Sequence, residues 1–280
     1  CHWAGILSIV LLIIYNFRPI MLLCLDVGNT HMLCGIFAKE KLILRFRYAT
    51  PLLGTADQFG IFLINILKYN KLEPLEIKAI AISSVVPNYD YTLRHSFFQY
   101  FKGADYFVLQ PGVKTGLNIR CKNPNEVGAD RIANAIGAIA AFPEQALIVV
   151  DMGTATTLCA ITKDRNYLGG AILPGLRLCM EALKNNTAKL MAVDIETPRS
   201  YMGRTTRESI QSGLYYGHFG ALKEIISGLK KEVFPGEVVK VIGTGGFAQL
   251  YEETSLFDTI ISDLVLQGLR KAYEYSQIEK

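Results

Sequence analysis

The chain has 280 residues, half of them apolar and 19% charged, with a formal net charge of +4 at pH 7. That composition supplies ample core material and excludes a disordered chain, and at roughly 150 residues per domain the length suggests two domains. The basic excess is small and scattered, its densest groupings being Arg45-Phe46-Arg47 and Lys230-Lys231, so a nucleic-acid surface is not expected. No uninterrupted apolar run of about 18 residues follows Met21, so no internal membrane span is expected either.

Residues 1–20 come first. Ile6 to Tyr15 is almost wholly apolar but short for a span. No basic residue precedes it and no small-residue cleavage site follows it, which makes a poor signal peptide. We read 1–20 as an extension, consistent with translation from upstream of a start at Met21.

From Met21 the pattern is regular. Short apolar runs at Leu22 to Asp26, His31 to Phe37 and Leu42 to Tyr48 predict an antiparallel meander. Thr55 to Tyr69 carries Phe59, Phe62, Leu63 and Ile66 at helical spacing. Ile77 to Val86 predicts a buried strand, Tyr91 to Phe101 a helix and Tyr106 to Leu109 a strand. Gln110 to Asn125 reads as a loop, and Val127 to Ala141 as a small-residue helix.

The pattern then restarts. Ala146 to Val150 predicts a strand ending at Asp151-Met152-Gly153-Thr154, and Thr157 to Ile161 predicts its return. Gly169-Gly170 is expected to open a loop that closes at Pro174-Gly175, with a helix to about Lys184. Thr205 to Lys231 predicts a long helix, weakened by Gly213, Gly217 and Gly220. Glu237 to Ile242 predicts a strand ending in Gly243-Thr244-Gly245-Gly246, and Asp263 to Ser276 the last helix.

The stretches LLCLDVGNTHMLCGIF and LIVVDMGTATTLCAI share a layout of apolar strand, Asp, one residue, Gly, a small polar pair and a return strand containing Leu-Cys. Their aspartates, Asp26 and Asp151, are 125 residues apart. Two copies of one supersecondary unit, each opening a domain-sized segment, imply an internally duplicated protein. The expected domains are 21–142 and 143–280.

Cys24, Cys34 and Cys159 lie inside apolar runs, and no C-x-x-C pair occurs. They read as core residues of a reduced, cytosolic protein. The four histidines have no zinc-ligand spacing.

Each D-x-G turn offers chemistry. Gly28 and Gly153 permit a tight return with φ > 0 and a close ligand approach. Backbone N–H groups with hydroxyls from Thr30, Thr154 or Thr156 form an anion cradle, and the strand-end Asp supplies a carboxylate for a hydrated cation. Two such turns facing each other would hold a nucleotide triphosphate from both sides. Either turn alone reads better as a hairpin with a capping Asp; the matched pair favours the cradle. No G-x-x-x-x-G-K-[ST] occurs, which excludes a P-loop. Gly243-x-Gly245-x-x-Ala248, with Asp263 beyond it, superficially matches a dinucleotide fingerprint, but only 37 residues follow Gly243, too few for the rest of such a fold. A turn packing against adenine or ribose is the better reading.

Gly128-Ala129-Asp130-Arg131 opens a helix. Asp130 there is either an N-terminal helix partner or a general base, and Arg131 beside it can hold a carboxylate in a bidentate fork.

The D-V-G-N-T, G-A-D-R, D-M-G-T-A-T-T, G-G-A-I-L-P-G-L and M-G-R-T-T-R-E-S-I-Q-S-G segments, in order and at matching spacing from Met21 onward, resemble type III pantothenate kinase. The resemblance implies two duplicated actin-like (ribonuclease H-like) α/β domains with a nucleotide cleft between them. It implies ATP-dependent phosphorylation of the primary hydroxyl of pantothenate, the first step of coenzyme A synthesis, by a cytoplasmic homodimer. Mg²⁺ or another divalent cation and K⁺ or NH₄⁺ are implied as cofactors.

By position, the resemblance makes Asp130 the proton acceptor, with Gly128, Ala129, Asp130, Arg131 and Thr206 lining the pantothenate site. Asp26, Val27, Gly28, Asn29, Thr30, His31, Met32 and Leu33 would form the first phosphate turn, with Asp26 serving a divalent cation through phosphate. Thr154 would contact ATP and Asp151 the monovalent cation. The family often has a substrate-contacting Tyr nine residues before the catalytic Asp; here that position is Cys121. Two other readings stand beside this one: another small-alcohol or sugar kinase of the same superfamily, and a nucleotide-binding accessory protein without catalysis. Retention of Asp130 with both turn aspartates argues against the second.

Overall fold

The computed structural model describes residues 21–278; the reading of 1–20 as an extension lies outside the described residues. The chain divides into two compact units, one ending at Leu109 and the other beginning at Gln110.

In the first unit, β1 (Met21–Val27), β2 (His31–Ala38) and β3 (Lys41–Ala49) form the expected antiparallel meander. Helix α1 (Ala56–Tyr69) leads to β4 (Ile77–Ser84), and α2 (Asp90–Tyr100) to β5 (Asp105–Leu109). β4 and β5 join in parallel, giving the order β3-β2-β1-β4-β5. A capping box sets the start of α1: the Thr55 side chain accepts from Gln58 N, and the Gln58 side chain accepts from Thr55 N. One face of the sheet is covered by the apolar stripes of both helices, with Leu23, Leu25 and Val27 of β1 clustered with Phe59, Leu63, Leu93 and Phe97. Each fully buried side chain of this size contributes on the order of 1.5–3 kcal/mol.

The second unit contains β6 (Asn118–Ile119), α3 (Ala129–Ala141), β7 (Ala146–Met152), β8 (Ala155–Ile161), β9 (Asn166–Pro174), α4 (Leu176–Asn186), α5 (Thr206–Val233), β10 (Val239–Thr244), β11 (Thr259–Ile260) and α6 (Leu264–Ile278). Its sheet order is β11-β10-β7-β8-β9-β6. Without β6, this is the order of the first unit, with the same antiparallel and parallel pairings. The duplication extends to burial. β1 and β7 are each buried along their length except at the penultimate residue, Asp26 and Asp151. The actin-like, ribonuclease H-like α/β class expected from the sequence is therefore the class observed.

β7 is buried on both faces. Ile148, Val150 and Met152 join a core with Leu214, Leu222 and Tyr251, while Leu147 and Val149 are equally buried on the other side. Helix α5 begins with a second capping box, between Thr205 and Glu208, and its glycines do not interrupt its 28 residues. α3 packs along α6 at unusually close range. A Cβ on Gly268 would lie 1.7 Å from the Ala133 carbonyl oxygen, and one on Gly137 would lie 2.5 Å from that of Leu264.

Four expectations differ from the structure. The boundary between compact units falls at Leu109/Gln110 rather than near residue 142, so α3 lies in the second unit. The loop expected from Gly169 to Pro174 is strand, because a Cβ at Gly170 would meet the Leu158 carbonyl oxygen at 1.7 Å and glycine lets β9 pair there. Within the loop expected over 110–125, β6 pairs in parallel with β9. The positive φ expected at Gly28 and Gly153 is absent; a Cβ on Gly28 would instead stand 3.0 Å from the His31 carbonyl oxygen, so close approach is what glycine serves there.

Candidate active site

In the first unit, the turn after β1 is pinned at several points. Gly28 N donates to His31 O, Thr50 N to Thr30 O, and the buried Thr50 hydroxyl to Gly28 O at 2.7 Å. Ser83, at the matching position of the parallel neighbour β4, donates to Asp26 Oδ1 at 2.6 Å. The Asp26 carboxylate is therefore oriented by a buried hydroxyl. Val27 and Met32 are core side chains with no exposure, so only their backbone is available to a ligand. Asn29 and His31 are exposed.

In the second unit, Asp130 stands in the first turn of α3, where its Oδ1 accepts from Arg131 N at 2.8 Å. Burial raises its pKa above the usual carboxylate value, against the lowering pull of Arg131. Asp151, at the end of β7, is more strongly affected. Burial first, then the charge of Asp130, push it up to about 6, while a hydrogen bond from Asn134 opposes the rise. That bond runs from Asn134 Nδ2 to Asp151 Oδ2 at 2.8 Å. Gly245, with φ of +87°, lies against the same carboxylate, where a Cβ would fall 2.4 Å from Asp151 Oδ1. The glycine-rich turn after β10 thus backs onto Asp151.

Arg131 begins a second cluster. Its charge lowers the pKa of both Cys159 and Tyr167, although burial dominates and pushes the Cys159 thiol up to about 11 and Tyr167 well above its usual value. The Tyr167 hydroxyl and Cys159 Sγ are 3.2 Å apart. Cys121 also acts on Tyr167, and its sulfur lies 3.7 Å from where a Gly169 Cβ would be. Cys121 and Arg131 therefore both act on the same buried tyrosine.

Asp130 lies within electrostatic reach of Asp151, and Arg131 and Cys121 both act on Tyr167. Thr154 is exposed in the turn after β7, and its carbonyl accepts from Gly175 N. Thr206 is the first residue of α5. It lines a cavity of about 800 Å³ between α4 and α5, with Cys179, Leu183, Leu190 and Ile210, and Gly128 to Arg131 do not line that cavity. A second cavity, of about 520 Å³, is lined by Gly246, Phe247, Tyr215 and Glu253. It places space beside the turn read from sequence as an adenine or ribose contact.

Several residues were not legible beforehand. Asn134 follows Asp130 by four positions, hence on the same helix face, and is the one polar residue between Ile132 and Ile139, a signal that could have marked it. His218 on α5 is buried and hydrogen-bonded to Thr156 Oγ1 at 3.0 Å, tying the turn strand β8 to that helix. Ser83 carries no sequence signal of its role.

Among the described residues there is no group of three or more His, Cys, Asp and Glu able to hold a metal. A cation here would need a carboxylate together with neutral oxygens. The oxygen of Asn134 beside Asp151 meets that requirement, because it is buried without a hydrogen-bond partner. Among the described residues no helix is long and apolar enough to cross a membrane.

Comparison with known proteins bears on the fold and the family. A conserved Baf family protein from Campylobacter jejuni has a similar structure, with a TM-score of 0.57 at 19% identity over 91% of this chain and 99% of that one. The ethanolamine utilization protein EutJ from Carboxydothermus hydrogenoformans aligns with a TM-score of 0.52 at 14% identity over 91% and 90%. These likenesses concern the fold alone. In sequence, a type III pantothenate kinase from Legionella pneumophila is 54% identical over 90% of this chain and 98% of its own. Type III pantothenate kinase 1 of Francisella tularensis is 45% identical over 92% and 100%. The model of the type III pantothenate kinase family matches residues 22–228. Matched across most of its length by that family's model, and more than half identical to a curated relative, this chain belongs to the type III pantothenate kinase family.

Proposed function

We propose that this chain phosphorylates pantothenate through Asp130, with Arg131 and the two strand-end aspartates as its principal partners. The overall activity follows from family membership: ATP-dependent transfer of a phosphoryl group to the primary hydroxyl of pantothenate, giving 4'-phosphopantothenate in coenzyme A biosynthesis. The observation that carries the residue assignment is Asp130 itself. It is a part-buried carboxylate with a raised pKa, placed at a helix start directly before an arginine.

In this reading Asp130 accepts the hydroxyl proton as the substrate oxygen bonds to the γ-phosphorus and the bond to the leaving ADP oxygen breaks. Burial raises its pKa above that of an exposed Asp, which makes it the stronger base once ionised. Arg131 pairs with the pantothenate carboxylate, and Gly128 and Ala129 line the substrate site with Cys121, while Thr206, assigned to the same substrate by resemblance, lines the separate cavity between α4 and α5. Asp26, the backbone of Val27 to Leu33 and Thr154 take phosphate oxygens. Asp26 serves a divalent cation through phosphate, and Asp151 holds K⁺ or NH₄⁺. When bound, these ions supply positive charge against the phosphates; the chain's own part is to fix the oxygens that hold them. Phosphoryl transfer depends mainly on positioning and charge neutralisation, so these groups suffice. A cytoplasmic homodimer completes the proposal.

A coupled ADP-release assay tests it across pantothenate and a panel of sugars and small alcohols. Pantothenate-dependent turnover is the expected result. Turnover with a sugar and none with pantothenate would overturn it in favour of another kinase of this fold.

A further inference from the structure

We propose that Asn134 is an oxygen ligand of the monovalent cation held by Asp151, which extends the site assigned above and rests on that assignment. The side-chain amide of Asn134 has its orientation settled by one contact, Nδ2 donating to Asp151 Oδ2 at 2.8 Å. Its Oδ1 is then left buried with no hydrogen-bond partner, in a residue only 2% exposed. A buried amide oxygen without a partner is costly and uncommon in folded proteins.

The surroundings give that oxygen a use. Ile132, Ala133, Ala135 and Ile136 flank Asn134 on α3 and are all buried, so nothing in the helix itself calls for a polar side chain there. One turn earlier, on the same face of α3, stands a second carboxylate, Asp130. A buried carboxylate with an unpartnered oxygen beside it favours a bound cation. The Asn134 oxygen can ligate such an ion without adding a third negative charge, as carbonyl oxygens do for hard cations. A side chain serving only to orient Asp151 would need a donor alone. The asparagine brings a donor to the carboxylate and leaves its acceptor beside it.

The test measures the thermal midpoint of the full-length protein in KCl and in choline chloride at equal ionic strength, with the K⁺ concentration giving half-maximal activity as a second readout. Wild type should gain stability from K⁺. Asn134→Leu, similar in size but without the oxygen, should lose that increment and raise the half-maximal K⁺ concentration by roughly 10–100-fold, the usual range for weakened metal sites. Asn134→Asp keeps an oxygen at the position and should retain the increment, which also covers the case in which the leucine variant fails to fold. A K⁺ increment unchanged in Asn134→Leu would overturn the inference, leaving Asn134 a structural residue. Loss of the increment in Asn134→Asp as well would overturn it too, because the amide donor would then be what matters. Absence of any K⁺ increment in wild type would overturn the cation role of Asp151 and this inference together.

Discussion

The close crossing of α3 and α6 supports a prediction whose sign separates local propensity from packing. Gly268→Ala would place a Cβ 1.7 Å from the Ala133 carbonyl oxygen. Ordinary contact needs about 3.4 Å or more, so the two helices must move apart by roughly 1.5–2 Å. Because the obstacle is backbone, no side-chain rotation relieves it. Overpacking of this kind costs typically 1–3 kcal/mol, while replacing helical glycine with alanine gains about 0.8–1 kcal/mol. The clash outweighs the gain in helix propensity, so a net loss of up to about 2 kcal/mol is expected, lowering the thermal midpoint by about 2–4 °C per kcal/mol lost. Function should fall further, since α3 carries Asp130 and Asn134. A misplacement of about 1 Å can cost on the order of 10²-fold in rate. Gly228→Ala is the control. Gly228 is exposed on α5 with open space around a would-be Cβ, so alanine there should stabilise by about 0.5–1 kcal/mol. Thermal melts and pantothenate-dependent ADP release on both variants decide the matter. A Gly268→Ala protein as stable and active as the Gly228→Ala control would refute the reasoning.

Asp130→Asn retains an acceptor for Arg131 N but removes the base, so turnover should drop by about 10²–10⁴ with ATP binding intact; near wild-type turnover would leave Asp130 a helix-start residue. In the wild type, kcat/KM should decline on acidification at a pH above the usual carboxylate range, because burial raises the pKa of Asp130 and the base must be ionised. Asp151→Asn should weaken K⁺ dependence together with ATP use, and equal wild-type rates in K⁺, NH₄⁺ and Na⁺ would remove its assigned role. His218 is kept neutral by burial, its pKa lowered from 6.5. The unfolded chain therefore binds the proton more readily: the stability contributed by neutral His218 is complete above about pH 6.5 and is lost as pH falls through the lower folded value. His218→Gln, which still offers Thr156 a partner, should flatten the slope of urea midpoints between pH 7 and 5; an unaltered slope would contradict this.

Much of the architecture was legible because its signals are local. The alternation and length of the apolar runs mark β1 to β3, and the repeated D-x-G turn marks β7 and β8 as their counterpart. The helices expected from Thr55 and from Thr205 start there, each closed by a capping box that the structure shows, with Gln58 and with Glu208. Asp26, Asp130 and Asp151 stood out as candidates for the same reason, each lying at the end of a strand or the start of a helix.

The rest depended on contacts between residues far apart in the chain. Gly169 and Gly170 read as a loop because glycine favours turns in isolation, yet the neighbouring strand's Leu158 carbonyl leaves no room for a Cβ and makes glycine the strand residue. The division at Leu109 could not be read from the order of elements. It follows from α3 packing against α6, more than 120 residues later, through Gly137 and Gly268. Ser83 reaches Asp26 across 57 positions, and Asn134 reaches Asp151 across 17. Sequence alone supplied the candidate reactive groups and the family pattern, because both are written in short motifs. Tertiary structure decided which neighbours orient and charge those groups, since that depends on strand register and helix crossing, and neither is encoded in the residues adjacent to the motif.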